Sequence, residues 1–264
     1  MTLDSTVVVC AHNEELYIEA CLRSILAQGL PPSRIMLVAD RCSDGTEDLA
    51  RNILPAETST IVKKHRSQWK NSISENLELA RRMSIGDGFV VVDADMVLPA
   101  DFLERLLPQL REYASVSALA RTDPTQGILN GLVSAWERTY LLAPLGVQPR
   151  GGCRVVSLKV LNEIGGFHDV TAWDTDLDMR LREAGYRVKI DRGVAVLHRR
   201  RMTIRRSITY QIQTGRARRE LGISLGLTLI HSTVHRYPSF VLYGYLKKDS
   251  GAPLGHQVEV EIPG

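Results

Sequence analysis

The chain has 264 residues, 44% apolar and 24% charged, the balance of a soluble globular protein with a substantial core. A formal net charge of +3 is too small to argue for nucleic acid as a partner. Four cysteines, Cys10, Cys21, Cys42 and Cys153, are scattered without a C-x-x-C. That argues against a zinc site and a disulfide framework and fits a reducing compartment.

Thr6 to Ala11 reads as a short buried strand ending at His12-Asn13-Glu14-Glu15. A helix follows with Ile18, Cys21, Leu22, Ile25 and Leu26 on one face, stopped by Gly29 and Pro31-Pro32. Ile35 to Ala39 is a second strand, ending at Asp40-Arg41-Cys42-Ser43-Asp44-Gly45-Thr46, and Thr60-Ile61-Val62 a weaker third. Ser72-Ile73-Ser74-Glu75 matches a capping box and opens a helix to about Met83. The turn signal Gly86-Asp87-Gly88 introduces Phe89-Val90-Val91-Val92, a strand buried on both faces. It stops at Asp93 and Asp95, a carboxylate pair able to share Mg²⁺ or Mn²⁺ with water and phosphate oxygens. Asp101 then caps a helix through Leu110.

The second half is less regular. Val116 to Arg121 reads as a strand, and Gln126 to Leu142 as a helix or irregular segment carrying Trp136 and Tyr140. Gly151 to Val156 leads to a helix from about Leu158, closed by Gly165-Gly166-Phe167. Asp174 stands where an N-cap belongs, before a helix with Leu177, Leu181 and Ala184 on one side and Gly185 as its stop. Val188 to Asp191 and Val194 to Leu197 read as two short strands ending at His198. Strands alternating with helices mean a parallel, helix-covered α/β sheet whose polar strand ends share one edge, where ligands bind. No glycine-rich phosphate loop follows the first strand, so a diphosphate would be met by a metal and basic side chains.

From His198 to Arg219 there are eight arginines and no acidic residue. Arginine suits phosphate oxygens, and Arg200 and Arg205 are the candidate contacts. Tyr237, Phe240, Tyr243 and Tyr245 follow, interleaved with Leu242, Leu246 and Lys247. That pattern suits a lipid headgroup surface and, with it, a lipid-linked acceptor. A helix and hairpin packed on the sheet, with the arginines in solvent, fits the same residues. The start of the chain shows no basic segment ahead of an apolar core, and Ile223 to Leu246 is broken by His231, His235, Arg236 and Pro238. A cytoplasmic protein is expected, in contact at most with the inner face of a membrane.

Val7 to Glu15 resembles the opening strand and A-x-N-E-E of glycosyltransferase family 2. Val38 to Thr46 resembles its second motif, with Ala39 in place of one of two acids. Val92-Asp93-Ala94-Asp95 is similar to its D-x-D, and Gly151 to Phe167 to its acceptor-side G…vGGF segment. Trp173-Asp174-Thr175-Asp176-Leu177 with Arg180-Leu181 and Ala184-Gly185-Tyr186 resembles E-D-x-D-L-x-x-R-L-x-x-x-G-Y, Trp173 replacing the Glu. The resemblance spans roughly residues 5–200 in order. It implies a GT-A fold, a mixed and mostly parallel sheet with flanking helices, and inverting transfer from a UDP- or GDP-sugar. It implies residues 1–97 as the nucleotide half and 98–200 as the acceptor half; beyond its reach, 201–264 read as a basic, helical or irregular C-terminal extension packed on or beside that domain. It also implies that Ala11, Asn13, Glu14, Asp40 and Asp93 line the nucleotide pocket, that Asp95 with Asp93 binds metal, and that Asp174 is the base. His198 would be a second metal or phosphate contact. The processive members' Q-x-x-R-W is absent, which favours single transfers.

Two other readings remain at this point. A haloacid-dehalogenase-type phosphatase would use Asp93 as nucleophile and Asp95 as acid, but expects its motif on the first strand. A non-catalytic phospholipid-binding module accounts for the arginines and leaves the carboxylates without a task.

Overall fold

The computed structural model describes residues 3–139, 151–235 and 238–247. The first half alternates as expected: β1 (Ser5–Ala11), α1 (Ile18–Leu26), β2 (Arg34–Asp40), α2 (Thr46–Ile53), β3 (Ser59–Lys64), α3 (Ser72–Met83) and β4 (Gly88–Asp93). A two-residue strand β5 (Met96–Val97) and α4 (Phe102–Leu106) follow, and a 3₁₀ turn over Leu107–Arg111 completes that segment. Then come β6 (Ser115–Thr122), α5 (Ile128–Thr139), β7 (Cys153–Ser157), α6 (Leu158–Glu163), α7 (Trp173–Glu183) and β8 (Val188–His198). The extension contributes α8 (Ile204–Glu220), α9 (Leu225–His235) and α10 (Pro238–Leu246).

The described strands form one mixed sheet in the order β3-β2-β1-β4-β7-β6-β8-β5. β3, β2, β1 and β4 run parallel, whereas β7 is antiparallel to both β4 and β6. Along the apolar runs, alternate residues fill opposite faces. Val7, Val9, Leu37, Val90 and Val92 pack with Ile18, Leu22 and Phe102 on one face. Val8, Met36, Val38, Phe89 and Val91 pack with Leu77, Leu177 and Phe167 on the other. Burying both faces explains the four-residue apolar run of β4, each side chain contributing about 1.5–3 kcal/mol. Register pairs Cys10 with both Val38 and Asp93, and Asp40 with Lys64, so the three polar strand ends do share one edge.

Several local expectations are corrected. The N-cap of α3 is Asn71, whose Oδ1 accepts from Ser74 N at 2.9 Å, not Ser72. Glu75 is unavailable for a capping box because it takes Lys64 Nζ at 2.7 Å. Asp101 makes no side-chain cap bond to α4. The two short strands are one strand, β8, whose register with β6 shifts between Asp191 and Ala195. There Asp191 Oδ1 accepts from Gly193 N at 2.9 Å, which gives the sequence its turn-like look. α2 went unforeseen because only Thr46 and Ala50 of it are buried, leaving little apolar signal.

The described residues of the extension, 201–235 and 238–247, bear out the helical extension expected there and contain no hairpin. α10 crosses α8 at glycines: a Cβ at Gly215 would meet the Val241 carbonyl at 1.9 Å, and one at Gly244 the Ile212 carbonyl at 2.0 Å. Only glycine permits that backbone approach. Among the described residues no helix is long and apolar enough to cross a membrane. Tyr140, Leu142 and Tyr237, named above for their aromatic or helical pattern, lie outside the described residues.

Candidate functional site

The ends of β1 and β2 are tied together before any ligand is considered. Asn13 and Arg41 both have left-handed backbone, φ 55° and 53°, where the chain turns off each strand. Asn13 Oδ1 accepts from Ser43 N at 2.8 Å, and Glu14 N donates to Thr46 Oγ1 at 2.7 Å. His12 Nδ1 lies 2.6 Å from the Asp40 carbonyl. Ala11 is buried beside Ala39 in the ladder. The loop is therefore pre-shaped by main-chain geometry, with small residues where the strands surface.

Asp40 is buried and forked by Arg41, Nε to Oδ1 at 2.8 Å and Nη2 to Oδ2 at 3.1 Å. Asn76 donates to Oδ2 at 3.2 Å, and Lys64 Nζ lies 3.9 Å away. Burial works to raise this carboxyl, yet Arg41, Lys64 and Asn76 together hold it below its ordinary range. Lys64 and Asn76 were not anticipated. Their signal was the lysine that ends β3 level with Asp40.

The two carboxylates after β4 face opposite environments. Burial and the neighbouring Asp95 push the Asp93 carboxyl up to about 7. For Asp95 burial acts in the same upward sense, but His198 and Arg200 outweigh it and hold it at about 2. His198 Nε2 sits 3.0 Å from Asp95 Oδ2, and Arg200 Nε donates to the same oxygen. A second guanidinium nitrogen of Arg200 donates to Glu14 Oε1. Glu14 Oε2 is buried without a hydrogen-bond partner, and burial raises this carboxyl despite Arg200.

Among the described residues no trio of His, Cys, Asp or Glu is gathered into a cage for a metal ion. Two adjacent carboxylates are nevertheless the donor set for Mg²⁺ or Mn²⁺, which keep waters and take phosphate oxygens. The Asp93 carboxylate accepts no hydrogen bond among the described residues and is disfavoured as an anion by its neighbour. A cation would relieve both conditions, so the residues fit one. His198, through Nε2, faces the same Asp95 oxygen and stands within reach of a cation held there.

Gly151-Gly152 joins this pair to α7. A Cβ at Gly152 would fall 1.9 Å from Asp93 Oδ2, and one at Gly151 2.4 Å from the Trp173 ring. Both positions need hydrogen there, a requirement visible in sequence only as a doubled glycine. Trp173 packs edge-on to Phe167 with ring centroids 5.6 Å apart, over the buried Arg154–Asp178 pair. Asp174 is thereby corrected from N-cap to the second residue of α7, the cap position being Ala172. Its carboxylate accepts from Thr175 N at 2.8 Å. Asp176, by contrast, is bound to Arg180 at 2.8 Å. Asp174 is close enough to Asp93 for its charge to raise that carboxyl.

Of the expected site residues, then, Glu14, Asp93, Asp95, Asp174, His198 and Arg200 converge, with Ala11, Asn13 and Asp40 along the adjoining strand ends. Arg205 stands apart: it is exposed in an open depression with Arg206 and Tyr210, and among the described residues it makes no hydrogen bond or ion pair with the acids.

The model of a family described as "Glycosyl transferase family 2" matches residues 6–145. No curated protein matches the chain. A solved mannosyltransferase from Pyrobaculum calidifontis, in complex with GDP-Man and Mn²⁺, is 22% identical with a TM-score of 0.65, covering 93% of this chain and 69% of that one. Glucosyl-3-phosphoglycerate synthase from Mycobacterium tuberculosis, with phosphoglyceric acid, is 20% identical with a TM-score of 0.60, covering 84% and 81%. S. aureus TarS 1-349 with UDP-GlcNAc is 18% identical with a TM-score of 0.55, covering 76% and 59%. At such identities the likeness is one of fold, and that fold is the GT-A arrangement.

Proposed function

The chain belongs to glycosyltransferase family 2, and from that premise we propose a metal-assisted, inverting transfer from a nucleoside diphosphate sugar, with Asp174 as base. The observation that carries the reading is the Asp93/Asp95 pair at the end of the central strand, set against Asp174 across Gly151-Gly152. Asp40, Asn13 and Ala11 line the place for the nucleoside. Asp93 and Asp95 would hold the divalent cation, which when bound neutralises charge on the departing diphosphate.

Asp174 lies in the first turn of α7, where the positive helix end favours a carboxylate. From there it is free to take the proton of an acceptor hydroxyl as that oxygen attacks the sugar. One carboxylate suffices for one in-line displacement, whereas retention would need a nucleophile as well. Arg200 is placed to meet diphosphate oxygens if it leaves Glu14 and Asp95. A phosphatase using Asp93 as nucleophile loses its ground, because the motif sits on the fourth strand of a glycosyltransferase chain.

The mannosyltransferase of similar fold was solved with GDP-Man and Mn²⁺, and TarS with UDP-GlcNAc. GDP and UDP with Mn²⁺ are therefore the first ligands to test. Calorimetry should show nucleotide binding that needs Mn²⁺, disappears with chelator, and is lost in Asp95→Asn while the thermal transition persists. Equal binding with and without chelator would remove the metal from the reading.

A further inference from the structure

Among the described residues the three most exposed large apolar side chains are Leu16, Ile128 and Ile204, at 86%, 86% and 67%. Single exposed aliphatics are ordinary on a protein surface. These three are far apart in sequence, yet each lies in, or within two residues of a contact with, the same short segment, Arg200 to Ile204. Leu16 precedes Tyr17, whose hydroxyl accepts from Arg201 N at 3.3 Å and whose ring lies 5.5 Å from the Arg200 guanidinium. Ile128 follows Gly127, where a Cβ would lie 3.9 Å from Arg201 Nε. Two residues on, Asn130 donates to the Arg200 carbonyl at 3.1 Å and accepts from Met202 N at 2.8 Å. Ile204 is the first residue of α8, whose cap Thr203 accepts from Arg206 N at 3.2 Å. Leu132, one turn beyond Ile128 and 63% exposed, extends the same face of α5.

The same rim is basic. Arg201, Arg205 and Arg206 are exposed, and no acidic residue occurs between His198 and Arg219. Arg205 has no hydrogen-bond or ion-pair partner among the described residues, and Arg206 donates to the Arg201 carbonyl at 3.2 Å and lies near enough to Glu14 for its charge to act on that carboxyl. Separate aliphatic tips among exposed arginines do not match the core of a protein interface, from which charge is depleted. They match an anionic headgroup layer, which attracts the guanidinium groups and admits the aliphatic tips.

We propose that this rim, around the Glu14–Arg200–Asp95 cluster, docks on the surface of an anionic phospholipid bilayer. Leu16, Ile128 and Ile204 enter the headgroup region, and Arg201, Arg205 and Arg206 lie among the phosphates. The contact differs from the aromatic surface that the sequence pattern pointed to on α10. Its corollary, which rests on the glycosyl-transfer reading, is that the acceptor is carried by a lipid whose reactive group lies at the bilayer surface.

The full chain, without nucleotide, is sedimented with phosphatidylcholine vesicles and with vesicles also containing phosphatidylglycerol. Partition is expected only on the anionic vesicles and should weaken as salt rises. Ile128→Ser/Ile204→Ser and Arg205→Gln/Arg206→Gln should each lower it by about tenfold or more. Ile85→Ser is the control: Ile85 is 52% exposed but bonded to Thr6 at the opposite end of the strands, and partition should not change. All these side chains are exposed, and thermal melts verify the fold of each variant. Absent partition, equal partition on neutral vesicles, or an isoleucine variant that sediments like the parent chain would overturn the proposal. A dimer in gel filtration that the isoleucine variant dissolves, without vesicle partition, would assign the rim to a second copy and overturn it too. Vesicle partition is read without donor, so it stands or falls apart from the metal-dependent calorimetry.

Discussion

The acidic and basic walls of the site come from opposite ends of the chain and are held by different means. Glu14, Asp40, Asp93 and Asp95 stand at or just beyond the ends of β1, β2 and β4, strands whose side chains are buried on both faces. His198 ends β8, a partly exposed strand with a register shift, Arg200 follows it, and both side chains are oriented chiefly by the acids they touch. The core positions the acids, and the acids position the cations. A change on the acidic wall should therefore act on chemistry and ionisation. One on the basic wall should redistribute charge with little cost to the fold.

The largest effect lies between the walls. Asp174→Asn keeps shape and first-turn hydrogen bonding, so turnover should fall by about 10²–10⁴ while nucleotide affinity stays within error. Single-turnover kinetics beside calorimetry separate the two. Near-normal turnover would reduce Asp174 to a helix-end residue. Loss of nucleotide affinity would mean that it shapes the donor pocket.

Arg200→Met tests whether the cations merely answer the acids. Arg200 and a divalent cation would compete for Asp95 Oδ2, so Mn²⁺ alone should bind about fivefold tighter in the variant, from an ion pair worth about 1 kcal/mol. Nucleoside diphosphate affinity should fall, because a phosphate partner is gone. Paramagnetic resonance of free Mn²⁺ measures the first and calorimetry the second. Weaker Mn²⁺ binding would make Arg200 a support of the metal site instead.

The smallest effect is on stability. An acid whose folded pKa lies above its unfolded value binds more protons when folded, so stability falls as pH rises between the two values. For Asp93 that window runs from the ordinary 3.8 to about 7. Asp93→Asn removes the penalty, so its Tm should exceed the parent's by a few degrees at pH 8 and by less at pH 5. A gain independent of pH would point to packing against Gly152, not to charge.

Much of the donor side was legible from residue order. The strand runs, the polar residues after each, and the carboxylate pair after Phe89 to Val92 are local patterns, because burial on both faces demands apolar continuity. Errors came where two local signals competed. Asn71 outranks Ser72 as a cap once Glu75 is drawn to Lys64, and Asp191-Arg192-Gly193 imitates a turn inside β8. Asp174 looked like a cap because Asp has that use generally, while the helix begins two residues earlier than that cap would place it, at Trp173.

The sequence by itself determined the alternating α/β class and the shared edge of three polar strand ends, because periodicity and the parallel direction that short crossovers impose are written in residue order. Glu14, Asp174 and His198 were named from resemblance to a family, not from periodicity. Only the tertiary structure decided that Arg200 bridges Glu14 and Asp95, that Lys64 and Asn76 hold Asp40, and that Gly152 lies against Asp93. The Arg200–Glu14 bond joins residues 186 positions apart, and the Gly152 contact depends on β7 pairing antiparallel with β4. Residue pattern states which face of a strand is buried. It does not state which strand lies beside it, and sheet order is what sets the partners of Asp93 and Asp95, and hence the opposite shifts of their carboxyls.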